Sequence, residues 1–101
     1  MLNQSDILER IDSGKTKIIN KFVGVQYDSK IQLPIDFWFL DQHNEILEVI
    51  SQKKLSRFSS SFLVRTDKGI YNLKFYYLEI NLSNFQLTLN GSWKIVFQVI
   101  E

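Results

Sequence analysis

The chain reads as a mainly β domain: a small antiparallel β-barrel or roll of about six to seven strands with a short N-terminal α-helix. Three observations predict it. The 101 residues include no alanine, the best helix former, while 45% are hydrophobic and 14% aromatic. Ile, Leu, Val and Phe dominate that fraction and suit a half-buried pleated surface. Apolar residues recur with a period of two along most of the chain, and turn signals interrupt them at short intervals. The length suits a single domain, 1–101.

The opening segment is helical. Ser5 is its expected cap, Asp6 and Glu9 suit the first turn, and Gly14 stops it. Ile7, Leu8 and Ile11 form one apolar stripe, too short to stand alone, so the helix needs a surface to pack on. From Lys15 the period changes to two. Ile18, Asn20 and Phe22 fall on one face of the first strand, and Lys15, Lys17, Ile19 and Lys21 on the other. Gly24 marks a bend, and residues 28–30 a turn. Pro34 opens the next strand, where its missing N–H does little harm, and Ile35, Phe37 and Phe39 alternate with Asp36, Trp38 and Leu40.

Residues 41–44 read as a polar hairpin loop, followed by a strand over 45–52 and a long polar, basic loop over 53–60. A clear hairpin follows, with strands at 61–66 and 70–78 joined by Asp67-Lys68-Gly69. Residues 79–84 read as a looser connection and 85–89 as a strand. Asn90-Gly91 gives the strongest short hairpin signal, and the last strand carries Trp93, Ile95, Phe97 and Val99 on one face. Several strands are apolar on both faces. That implies either central burial beneath the helix or an association surface.

Most catalytic chemistry lacks its residues. There is no cysteine, and the single histidine, His43, falls in an expected hairpin loop. One His and no carboxylate cluster at ligand spacing give no metal site. Gly14-Lys15-Thr16 echoes the end of a phosphate-binding loop, but Glu9 stands where that loop needs its first glycine. An enzyme would rest on Asp36 and Glu48 alone, paired across the first hairpin. No targeting segment or spanning run is visible, which sets the expectation of a cytoplasmic protein with no membrane, metal or cofactor.

The formal net charge of +1 conceals zones. Asp6, Glu9 and Asp12 concentrate in the helix, whereas Lys15, Lys17 and Lys21 share a strand face with no acid before Asp28. A second acid-free zone holds Lys53, Lys54, Arg57 and Arg65, and Lys74 follows in the next strand. Small barrels that bind nucleic acid combine such zones with exposed aromatics that stack on bases, for which Trp38, Phe58 and Tyr76 are the candidates. The plain alternative makes the lysines an edge defence and the aromatics a second apolar layer, and the near-zero net charge favours it.

The stretch Pro34-Ile35-Asp36-Phe37-Trp38-Phe39, the strand 46–50, the hairpin 62–73 and Ser92-Trp93-Lys94 together resemble an uncharacterised family of small bacterial β-barrel domains. Members occur alone or beside translesion DNA polymerases. The resemblance covers residues 31–100, with the family's first-strand tryptophan falling at Phe39 and its loop tryptophan at Phe58. It implies a barrel fold and an accessory role near DNA. The expectation is therefore a non-enzymatic binding module, associated with nucleic acid or a nucleic-acid-bound protein, with a homodimeric protein-interaction module as the alternative.

Overall fold

The first element sets its own boundaries. Asn3, rather than Ser5, caps a helix α1 (Gln4–Asp12): its side chain accepts from the Asp6 amide at 2.9 Å, and Asp6 reaches back to the Asn3 amide. Moving the cap to Asn3 leaves Ser5 inside the first turn. Gly14 ends the helix with φ +75°, its amide donating to Ile11 and that of Lys15 to Arg10, a Schellman closure that only an unbranched backbone enters without strain.

The computed structural model describes residues 2–81 and 86–101, with the backbone alone over 77–81 and 86–90. After the helix come β1 (Thr16–Asp28), β2 (Leu33–Phe39), β3 (Gln42–Ser56), β4 (Ser59–Thr66), β5 (Gly69–Asn81) and β6 (Gln86–Val99). Every adjacent pair is antiparallel, and β1 closes the barrel against β6. β1 serves two neighbours in turn. Its first half pairs with β6 as far as Val23, and its second half pairs with β2 from Gly24.

Several turns differ from expectation for identifiable reasons. The first hairpin turns at Leu40 and Asp41, both at positive φ (54° and 59°), a two-residue primed turn that matches strand twist. The polar residues 42–44 therefore belong to β3, and Asp36 faces Glu45 rather than Glu48. The expected 53–60 loop is mostly strand. β3 runs to Ser56 and β4 starts at Ser59, with Lys53 and Lys54 opposite Ser61 and Ser60. Asn90-Gly91 makes no hairpin. β6 passes straight through it, and between the pairs Tyr76–Ser92 and Leu78–Leu89 it carries one residue more than β5, a bulge. A Cβ at Gly91 would strike the ring of Phe75, so this glycine admits an aromatic ring. The expected strand residue Phe85 and residues 82–84 of the expected connection lie outside the described residues.

Two apolar clusters hold the fold. The larger fills the barrel, with Phe37, Phe62, Val64, Tyr71, Leu73, Trp93 and Ile95 buried and Ile19, Val23, Val25 and Val49 packed against them. All six strands contribute. The smaller lies beneath the helix, where Ile7 meets Leu63, Ile70 and Val99 on the outer face. That resolves the strands that are apolar on both faces: Leu63 and Ile70 alternate with the barrel residues Val64 and Tyr71, and α1 covers them. On β1 the side bearing Ile19, Val23 and Val25 turns inward, leaving Ile18 and Phe22 outside at 65% and 70% exposure.

Candidate nucleic-acid interface

Antiparallel register lines up residues from five strands across the outer surface. Lys53 of β3 pairs with Ser61 of β4, Ser61 with Lys74 of β5, Lys74 with Lys94 of β6, and Lys94 with Phe22 of β1. Their chain neighbours Phe62, Leu73, Phe75, Trp93, Ile95 and Val23 belong to the barrel core, so alternation turns the row outward. With neighbouring strands about 4.8 Å apart, Lys53 to Lys94 spans about 14 Å of sheet. Asn72 steadies the row by donating to the Ser61 hydroxyl at 2.7 Å.

Basic groups in this region lie against aromatic faces. The Lys94 ammonium stands 5.5 Å from the centre of the Phe22 ring and that of Lys74 stands 4.9 Å from Tyr76. At the β3–β4 turn the Arg57 guanidinium lies 5.9 Å from the Phe58 ring, and Ser59 beside it pairs with Tyr76. Among the described residues the ion pairs are His43 with Asp36 and Arg65 with Glu48, so no described carboxylate neutralises Lys53, Lys74 or Lys94. Cations beside the exposed rings of Phe22 and Phe58, with the half-buried Tyr76 ring between the strands, suit a ligand that is both anionic and flat. A cation over an exposed ring is worth about 0.5–1 kcal/mol, whereas a stacked base is worth about 1–3 kcal/mol. A base can therefore take the ring face while the displaced ammonium meets its phosphate.

Trp38 continues the aromatic surface on the next strand. It pairs with Gly24 of β1, lies 56% exposed, and packs against His43 with ring centres 4.9 Å apart. His43 is not a lone loop residue, because its Nε2 lies 2.9 Å from Asp36 Oδ2 and its position on β3 is opposite Trp38. Asp36 and Glu45 mark the acidic limit of this surface.

Of the residues singled out from sequence, Lys53, Arg57, Phe58, Lys74 and Tyr76 gather on this flank, whereas Lys54, opposite the buried Ser60, takes the alternate register position. Lys21 pairs with the core residue Ile95, one step along β1 from Phe22 and so at the alternate register position to the row. Lys17 pairs with Gln98, four residues along β6 from Lys94 and so about 13 Å away. Lys15 accepts the Ile100 amide through its carbonyl at the same far end. Arg65 is engaged internally: its guanidinium donates to Glu48 at 3.1 Å and to the Leu2 carbonyl at 2.9 Å, tying the segment before α1 to the barrel. The expected pairing of Asp36 with Glu48 does not form, since the first faces Glu45 and bonds His43 while the second bonds Arg65.

Sequence reasoning missed Lys94 and Phe22. The alternation of the last strand already set Lys94 opposite Trp93 and Ile95, but its neighbours depend on register across two bulged strands. Among the described residues Tyr71, 5% exposed, is the titratable group whose pKa is displaced: burial first, and the Asp67 charge second, raise it above the usual 10.0. Among the described residues no group of three or more His, Asp or Glu is placed to hold a metal, and no helix is long and apolar enough to cross a membrane.

No protein-family model, curated protein or solved structure matches the chain.

Proposed function

We propose that the protein is a non-enzymatic binding module that associates with nucleic acid through the outer flank of β3 to β6. The observation that carries this reading is the row Lys53–Ser61–Lys74–Lys94–Phe22, three lysines in register without a described counter-ion and ending on a 70% exposed ring. Phosphate attraction is set locally, so the net charge of +1 does not oppose it where no described carboxylate pairs with the row. The resemblance to barrels found beside translesion polymerases supports the same direction. The test is charge removal with a matched control. Replacing Lys53, Lys74 and Lys94 together by Gln is expected to abolish low-salt oligonucleotide binding, while replacing Lys15 and Lys17 by Gln leaves most of it. Equal losses in the two variants would refute the assignment.

A second reading, a homodimer, is favoured by a separate feature. Among the described pairings, β4 leaves β5 at Tyr76 and β1 leaves β6 at Val23 opposite Trp93, so the β5–β6 ribbon continues beyond with no lateral strand. Leu78 pairs with Leu89 and Ile80 with Leu87, which gathers four apolar residues at one set of register positions. Glu79, Thr88, Asn81 and Gln86 take the other. A lone two-stranded ribbon is marginal in water, and a second copy would cover that face at little charge repulsion. Light scattering across a wide concentration range is expected to show a dimer. A monomer at the highest concentration would remove this reading.

A further inference from the structure

We infer that the ligand of this flank is single-stranded rather than duplex nucleic acid, an inference that rests on the nucleic-acid reading above and sharpens it. A duplex hides the faces of its bases and offers phosphates alone. A single strand offers both, and this surface is built for both. Its lysines form a short line across the strands, and the line ends at Phe22, exposed and flanked by the Lys94 ammonium. Trp38 lies one strand further, opposite Gly24, on the same outward side as Phe22, because Phe22 and Gly24 are two residues apart on β1. Gly24 has no side chain to separate the two rings, and a Cβ there would meet nothing within 4 Å. An extended strand can therefore set phosphates on Lys74 and Lys94 and successive bases on Phe22 and Trp38. No helix lies on this flank, since α1 covers the outer face over Leu63, Ile70 and Val99.

Two tryptophans make the test direct, because Trp38 is exposed and Trp93 is 8% exposed in the core. The full chain is titrated with an oligothymidylate of about 20 nucleotides, which forms no duplex, and with a mixed-sequence duplex of the same length. The expected result is at least about tenfold tighter binding of oligothymidylate and quenching of tryptophan emission that disappears in Trp38→Phe. Phe22→Leu, which keeps an apolar side chain at an exposed site, is expected to weaken oligothymidylate about tenfold and leave duplex binding unchanged. Duplex binding as tight as oligothymidylate binding, or indifference of oligothymidylate to Phe22→Leu, overturns the single-strand inference and leaves the nucleic-acid reading standing. Binding to neither probe at low salt overturns both.

Discussion

Phe37 shows how one ring anchors a barrel. It is fully buried, meets Tyr71 edge-on with centres 5.5 Å apart, and sits on β2, the shortest strand. Truncation to Ala removes the ring and leaves a cavity that six interlocked strands close only in part, so Phe37→Ala is expected to cost about 3–5 kcal/mol in urea unfolding. A loss under about 1 kcal/mol would contradict this packing. Tyr71 on the facing strand predicts a pH dependence. Its folded pKa lies above the unfolded value of about 10, so the folded state holds its proton longer. The resulting stability is intact below about pH 10 and is lost as pH rises from there through the folded value. Comparing urea midpoints at about pH 9 and pH 11, the drop should be smaller in Tyr71→Phe than in the parent.

At the scale of elements, the helix depends on its cap. Asn3→Ala removes the acceptor for the Asp6 amide, and thermal unfolding should show a loss of about 1 kcal/mol. Helix and hairpin signals that act within a few residues were legible in the sequence: Gly14 as the stop, Pro34 at a strand entrance, Asp67-Lys68-Gly69 as a turn. Signals that depend on distant partners were not. Residues 53–56 are polar enough to read as loop, yet the rim of a barrel strand needs only one apolar face, and Ser60 and Ser61 supply the pairing. Asn90-Gly91 has the sequence of a hairpin, but its glycine answers to Phe75 on the neighbouring strand. Gly91→Ala should therefore destabilise the protein, and Phe75→Leu should relieve part of that cost, so that unfolding energies of the double variant fall short of the sum. Strict additivity would mean that the ring and the glycine are independent.

For the whole molecule, composition and period were enough to predict a barrel, since only closure hides so many strand edges in a chain of this size. The candidate surface was legible in part. The acid-free zone from Lys53, with Lys74, was visible in the sequence, but the strand-face lysines Lys15 and Lys17 lie at the other end and Arg65 serves the fold. Lys94 and Phe22 joined the row only through register, which no local pattern encodes. The row makes one quantitative demand. Three lysines that each neutralise a phosphate of a single strand give log K against log salt a slope of about −2, and Lys74→Gln should lower its magnitude by about 0.7. The decisive measurement is that slope, taken by titrating a labelled single-stranded oligonucleotide between about 20 and 200 mM salt. A slope near −2 that shrinks in Lys74→Gln is the predicted result. Absence of binding at the lowest salt, or a slope that Lys74→Gln leaves untouched, would contradict the role assigned to the lysine row.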